Sequence, residues 1–191
     1  TGKTTTMAEM FSNADNFNSD ISCWNTSKVD DISLMFYQNN SFNNGGVAMC
    51  WDDGFAVSTT ASKMFYQAVA INQDLSCWDT SNIVTMTQMF VGANSFNNGS
   101  VSMCWNDGFA SNANMEKMFY QNNQINVDLS CWDTSNVINM IQMFEEAGNF
   151  DNGGVTLNWD DGFGADASLS RMFRLTPFNQ DISSWNISNV Q

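Results

Sequence analysis

The sequence predicts a repeat solenoid: a stack of about seven coils of alternating 25 and 29 residues, built from short parallel strands and short helical or 3₁₀ turns. Two recurrences predict it. A Met-Phe pair returns after 25 and 29 residues in alternation, with its methionines at Met10, Met35, Met64, Met89, Met118, Met143 and Met172. A tryptophan returns every 27 residues, and after 26 at the end, at Trp24, Trp51, Trp78, Trp105, Trp132, Trp159 and Trp185. Self-similarity at this period is typical of solenoids, in which each repeat buries its apolar residues against its neighbours.

The Met-Phe pair marks the first element of each coil. Apolar residues there are spaced at i, i+3 and i+4, as in Met86, Met89 and Phe90. This spacing places them on one side of a helical turn. The segment is too short for a free-standing helix, so we predict a single helical or 3₁₀ turn.

The residues that precede each tryptophan supply the predicted strand. In the short coils it covers residues 20–24, and in the long coils Val47, Met49 and Trp51 alternate with two smaller residues. The long coils gain two residues before tryptophan and two after it, at "NNGG" from Asn43 and at "DDGF" from Asp52. Both are turn sequences, so we expect wider corners there.

Equivalent residues of stacked coils form columns along the solenoid, about 4.8 Å apart. The asparagine of each Phe-Asn pair, as at Asn18, Asn43 and Asn97, is expected to pair with backbone groups at a corner, because a buried polar side chain needs a partner. For the tryptophans two interpretations remain. We favour burial, because an exposed stripe of indoles would form a large apolar patch. The alternative is an exposed stripe that binds glycans or partners.

The cysteines form a further column, one residue before tryptophan, and the positions that continue it are Asn158 and Ser184. Neighbours at this spacing fall within disulfide range. One scheme joins short to long coils. The scheme that we favour joins long to short coils, because it makes Asn158 and Ser184 partners and leaves only Cys23 over. Its bonds imply an oxidising setting, and they are Cys50–Cys77 and Cys104–Cys131. The rival is a column of reduced, buried thiols.

An acidic column follows each tryptophan and includes Asp52, Asp79, Asp133 and Asp160. Stacked carboxylates repel one another unless they reach water or share a cation. Oxygen ligands without histidine favour Ca²⁺, so a weak calcium site at these four residues is one interpretation. We favour solvated turns, because turns prefer Asp and Asn and no EF-hand spacing is present.

The short coils resemble a known family. The motif M-xx-MF-xx-A-xx-FNQD-[IL]-S-x-W-[DN]-T-S-N-V is similar to the repeat of the BspA-like leucine-rich-repeat surface proteins. Its best copies are "INQDLSCWDTSNIVTMTQMFVGA" from Ile71 and "FNQDISSWNISNV" from Phe178. The long coils depart from it at "NNGGVAMCWDDGF". The resemblance implies a right-handed leucine-rich-repeat-like stack, a secreted or cell-surface location and a link to adhesion, without catalytic residues.

Composition narrows the function classes. The chain has 20 acidic and 6 basic residues, a net charge of −14 and no histidine. Such an acidic surface disfavours nucleic acid and anionic lipid, and no apolar run reaches the length of a membrane helix. The polar motifs recur instead of converging in a single pocket, so we expect no enzyme and no cofactor.

These observations predict one solenoid domain over residues 1–191, and its ends favour an uncapped part of a longer array. The expected function is a non-enzymatic extracellular or cell-surface scaffold. It would serve as a structural stalk or fibre element with an adhesive role, and bind a surface protein, a glycan or further copies end to end. One alternative is a glycan- or calcium-dependent adhesive module. An ice-binding solenoid is a further alternative with less support, because the column two residues after tryptophan alternates Thr and Asp and so does not form a uniform threonine face.

Overall fold

Four short strands form one parallel sheet, in the order β1 (Thr59–Thr60), β2 (Ile83–Thr85), β3 (Ala113–Asn114) and β4 (Val137–Asn139). The computed structural model describes residues 3–191. Isolated parallel bridges continue the ladder on both sides, from Thr6 to Asp31 to Thr60 and from Asn139 to Ser168. Three 3₁₀ turns, Asn44–Gly46, Asn98–Ser100 and Asn152–Gly154, lie in the long coils. The chain is therefore a repeat solenoid, as the recurrences predict.

The position of the predicted strand is wrong. Residues 20–24 and 47–51 form no strand, and the sheet follows the tryptophan instead of preceding it. In the segment before tryptophan, side chains take over part of the bonding; the Ile21 N–H, for example, donates to Asn44 Oδ1 at 2.8 Å. After tryptophan the backbones bond directly, as in Thr59 N–H to Asn82 O and Ala61 N–H to Thr85 O. The ladder after tryptophan persists through the long coils, with a shift of register at Thr59–Thr60 and at Ala113–Asn114.

The Met-Phe segments form successive β-turns and not the predicted helical turn. Met35 N–H donates to Ile32 O and Tyr37 N–H to Leu34 O, three residues back, while Phe36 N–H donates to Met64 O of the next coil at 2.9 Å. Leu34 has a φ of 56°, as the third residue of a type II turn requires. Alternate N–H groups thus close turns and join coils, which a helix cannot do because it uses its N–H groups internally.

Two aromatic columns fill the core. Phe36, Phe65 and Phe90 stack with ring centroids 5.3–5.4 Å apart and are fully buried, so they share one environment as predicted. The tryptophans are buried too, which confirms the favoured interpretation; the exception is Trp24, which is half-buried. Each buried indole N–H donates to a carbonyl of the preceding coil, as Trp105 does to Leu75 O at 2.8 Å.

The predicted asparagine ladder is present. Asn18 Oδ1 accepts from Asn43 N–H at 2.7 Å, Asn43 Oδ1 accepts from Asn72 N–H at 2.8 Å, and Asn72 Oδ1 accepts from Asn97 N–H at 2.7 Å. Asn126 and Asp151 continue the series. These side chains satisfy the backbone at one corner of every coil, so the column is structural.

A second asparagine column occurs only in the long coils, where the sequence predicts a turn. Asn98 is fully buried. Its Oδ1 accepts from Leu75 N–H at 2.8 Å, and its Nδ2 donates to Ser76 Oγ and Val101 O. Its backbone φ is 46°. This one side chain therefore closes the wide corner and joins it to the coil before.

We expect Asn98→Ala to lower the free energy of unfolding by about 2–4 kcal/mol. The substitution leaves buried backbone groups without partners, at about 1–3 kcal/mol for each such group, and alanine tolerates positive φ poorly. Chemical unfolding measures the loss. Asn94→Ala, at an exposed position, should change it by less than about 0.5 kcal/mol. Equal losses in both variants would contradict the structural role of the column.

No helix within residues 3–191 combines the length and apolar character needed to cross a membrane.

Candidate binding surface

One surface of the solenoid, the Met-Phe face, is formed by the turns around the phenylalanine column. It comprises four residues around the phenylalanine of each Met-Phe pair. Two of them lie two and three positions before that phenylalanine, and two lie one and two positions after it. Their side chains are half-buried or exposed, apart from Val91 and Glu145. The face consists of residues 8, 9, 12, 13, 33, 34, 37, 38, 62, 63, 66, 67, 87, 88, 91, 92, 116, 117, 120, 121, 141, 142, 145, 146, 170, 171, 174 and 175.

The Met-Phe face differs in composition from the rest of the chain. Its columns vary from coil to coil, whereas the core columns repeat. It holds all 3 tyrosines, four of the 6 basic residues, all four glutamates and no aspartate. The basic residues and glutamates balance, so the net charge of −14 lies entirely on the other residues. The face carries tyrosine and arginine side chains, which interfaces favour, namely Tyr37, Tyr66, Tyr120, Arg171 and Arg174, together with Lys63 and Lys117.

Two tyrosines stack near one end of this face. Tyr37 and Tyr66 have ring centroids 5.2 Å apart and planes inclined by 13°. Beside them, Gln38 Nε2 donates to Gln67 Oε1 at 2.8 Å. The coil stacking therefore orders two aromatic rings and two amides before any partner arrives, which reduces the entropy lost on binding.

A charged cluster occupies the other end. Glu145 is only 2% exposed. It accepts hydrogen bonds from Arg174 and, at 2.6 Å, from Gln142 Nε2. Burial acts to raise the pKa of Glu145, but the hydrogen bonds from Gln142 and Arg174 outweigh it and lower the pKa below its usual value. Burial, with the charges of Glu146 and Glu145, raises the pKa of Tyr120.

The lowered pKa of Glu145 predicts a pH dependence of stability. A carboxyl whose pKa is lower in the folded state stabilises it above the pKa of the unfolded chain. That contribution is lost as the pH falls through the folded-state value. The free-energy advantage of the native protein over Glu145→Gln should therefore be largest near pH 7 and should shrink below about pH 4.

Urea unfolding from pH 7 to pH 3 measures this difference. Glu9→Gln, at an exposed position of the same face, is the control and should run parallel to the native protein. An advantage over Glu145→Gln that stays constant down to pH 3 would show that the ion pair does not contribute through the charge of Glu145.

The structure contains the two disulfides of the long-to-short scheme. Cys50–Cys77 and Cys104–Cys131 each join residues 27 apart, with Cα atoms 5.4 Å apart. Cys23 is an exposed free thiol. Ser184 Oγ lies 3.1 Å from Asn158 Oδ1 and donates a hydrogen bond to it where the cysteine column ends. The two positions without cysteine therefore face each other, as the scheme requires.

The four aspartates of the calcium prediction lie at the corner after tryptophan. Asp52 and Asp160 are exposed. Asp79 Oδ1 and Asp133 Oδ1 accept from N–H groups two residues ahead, at 3.0 and 2.9 Å, and so brace turns. In the part of the chain that the structure describes, no three Cys, Asp or Glu side chains converge as they would around a metal ion. The calcium site stays a prediction, which calorimetry at millimolar Ca²⁺ can test.

Sequence reasoning did not identify the Met-Phe face. Periodicity indicates the columns whose residues recur, and the Met-Phe face consists of columns whose residues do not recur. Counting where the rare residue types fall within the period would have found it, since every tyrosine and every glutamate occupies the same four columns.

The comparisons with known proteins identify one family. The family model described as "Mycoplasma protein of unknown function, DUF285" matches the chain three times, over residues 1–54, 50–113 and 102–191. These matches span the chain from end to end and agree with its repeated architecture. No curated protein and no solved structure matches it.

Proposed function

Since the chain belongs to the family described as Mycoplasma protein of unknown function, DUF285, and two disulfides cross-link its solenoid, we propose that it is a non-enzymatic repeat scaffold of an extracellular or cell-surface protein. Its role is adhesive: the solenoid acts as a stalk, and its Met-Phe face binds a molecule on another surface. We further propose that it is a BspA-like repeat protein, on the strength of the motif in its short coils.

The disulfides support the location. Such bonds persist in oxidising compartments and are rare where thiols are kept reduced. The motif points the same way, because the proteins that share it are secreted or lie at the cell surface. An extracellular address also suits the charge, since a net −14 keeps a long array soluble and separate from anionic surfaces.

The observation that carries the binding role is the concentration of variable, long and aromatic side chains on one neutral face. Structural columns repeat because their residues pack against the same neighbours in every coil. The columns of the Met-Phe face escape that constraint, and their tyrosines and arginines are of the types found at the centres of interfaces. Elsewhere the polar residues brace turns, as Asp79 and Asn98 do.

A bead-adhesion assay tests the proposal. Beads coated with the chain should adhere to surfaces coated with extracellular-matrix or mucin extracts, and Lys63→Glu with Lys117→Glu should reduce adhesion at least tenfold. The control variant Asp53→Lys with Asp107→Lys also alters two charged residues, at exposed positions outside the Met-Phe face. It should not reduce adhesion. Equal adhesion of native and Met-Phe-face variants would refute the proposal, and adhesion that EDTA abolishes and calcium restores would favour the calcium-dependent alternative.

A further inference from the structure

A polar groove lies on the Met-Phe face beside the stacked tyrosines and extends past its edge. Its volume is about 360 Å³, and it crosses three successive coils. Each coil contributes two residues, and the spacing of the phenylalanines beneath them is 5.4–5.5 Å. The lining residues are Asn13, Asp15, Gln38, Asn40, Gln67 and Val69.

The lining consists almost entirely of planar groups that form hydrogen bonds. Asp15 Oδ1 accepts from the backbone N–H of Asn40 at 3.1 Å and from its Nδ2 at 2.9 Å. Gln38 and Gln67 are joined through one amide bond, at 2.8 Å. These contacts fix the four side chains and leave Asp15 Oδ2 and Gln67 Nε2 without a partner within residues 3–191. A preordered acceptor and a preordered donor thus remain for a ligand.

An aromatic ring lies next to this groove. One face of Tyr37 is covered by Tyr66. On its other side, the coil before places Ser12 in the same column, and this side chain is too small to cover a tyrosine ring. Both tyrosines are half-buried, so part of the Tyr37 ring is exposed next to a row of amides and one carboxylate that extends over three coils.

We propose that this groove binds a neutral oligosaccharide; the proposal rests on the adhesive function of the Met-Phe face and names its ligand class. Sugar hydroxyls both donate and accept, so they satisfy Asp15 and the amides together, and the apolar side of a pyranose ring packs on Tyr37. The spacing of the coils is close to the length of one pyranose residue, so successive sugars meet equivalent side chains.

The charge and polarity of the lining exclude other ligand classes. Asp15 is the one charged residue that lines the groove, so it would repel sulfated or uronic sugars and other anions. A protein partner would need a desolvated apolar or aromatic anchor pocket at the centre of its site. The lining offers only Val69 for that purpose, and the ring of Tyr37 beside it is stacked on Tyr66 and does not form a pocket.

Binding to an immobilised array of neutral oligosaccharides, comprising glucans, mannans, galactans and chitin fragments, tests the proposal, with calorimetry on the strongest hit. The native chain should bind at least one class, and Tyr37→Ala or Gln67→Ala should weaken it at least tenfold. The repeat supplies matched controls. Asn94→Ala and Asn123→Ala remove the side chains equivalent to Asn40 from two coils beyond the groove, at exposed positions off the Met-Phe face, and should change the affinity by less than twofold.

Circular dichroism of each variant establishes that it folds. No binding to any neutral oligosaccharide at millimolar concentration would overturn the proposal. Equal losses in the Tyr37 and Asn94 variants, binding confined to anionic sugars, or binding confined to a peptide array would overturn it as well. The bead assay separates failure of the oligosaccharide proposal from failure of the adhesive function. If adhesion survives Gln67→Ala but is lost in the variant with Lys63→Glu and Lys117→Glu, the groove is not the binding site, but the Met-Phe face is still the adhesive surface.

Discussion

Removing the two disulfides should lower the free energy of unfolding by about 3–4 kcal/mol for each bond, and so leave the solenoid marginally stable. Each bond joins residues 27 apart, and closing a loop of that length restricts the unfolded chain by about this amount. Cys50→Ser with Cys77→Ser, Cys104→Ser with Cys131→Ser, and the fourfold variant can be compared by unfolding in guanidinium chloride.

Cys23→Ser is the matched control, because Cys23 belongs to the same column and is a free thiol. It should change the free energy of unfolding by less than about 0.5 kcal/mol. If the two double variants unfold at the same denaturant concentration as the native chain, the bonds contribute nothing to stability, and the argument from the unfolded state fails.

The two disulfides cross-link neighbouring coils at every second junction between Cys50 and Cys131. The tryptophan rings are 5.2 Å apart between coils joined by Cys50–Cys77, but 6.3 Å apart at the next junction, from Trp78 to Trp105. The tryptophan rings are thus closer at the two disulfide-linked junctions, and equally close at Trp159–Trp185, which has no disulfide. The wider junctions have no disulfide and rely on hydrogen bonds and packing alone. In a solenoid, whose repeats contact only their neighbours, these junctions are where we expect the stack to separate first.

The repeated columns were predictable from the sequence because one packing problem recurs in every coil. A residue that returns at Trp78, Trp105 and Trp132 has the same neighbours each time, so periodicity identifies the core columns. Periodicity leaves two cysteine pairing schemes, and the absence of cysteine at Asn158 and Ser184 favours one of them. The asparagine ladder follows from the same logic, since a buried amide needs partners.

Local structure within a coil was less predictable. Alternation before tryptophan favours a strand there, but that pattern does not show which segment bonds through its backbone. Asn44 replaces a backbone partner of Ile21. This asparagine recurs at Asn98 and Asn152, but the recurrence does not show that its side chain takes the place of a strand. The Met-Phe segments show helix-like spacing because successive β-turns, each closed by a hydrogen bond to the residue three positions back, also place apolar side chains on one side.

Trp105→Ala should cost about 3–5 kcal/mol of the free energy of unfolding, the range for truncating a large buried aromatic side chain. Trp105 is fully buried. It stacks on Trp132 at 5.3 Å and on Trp78 at 6.3 Å, and it donates its indole N–H to Leu75 O. Alanine removes all of these contacts in the middle of the stack, where both neighbouring coils lose packing.

Two further variants separate packing from hydrogen bonding. Trp105→Phe keeps a stacked ring and removes the indole hydrogen bond to Leu75 O, which still accepts from Trp78 N–H at 3.1 Å, so the lost bond should cost about 0.5–1.5 kcal/mol. Trp24→Ala, at the half-buried member of the same column, should cost less than Trp105→Ala because less surface is buried there. Unfolding monitored by the fluorescence of the remaining tryptophans gives all three values. A loss for Trp105→Ala no larger than that for Trp24→Ala would mean that the indole column does not hold the coils together.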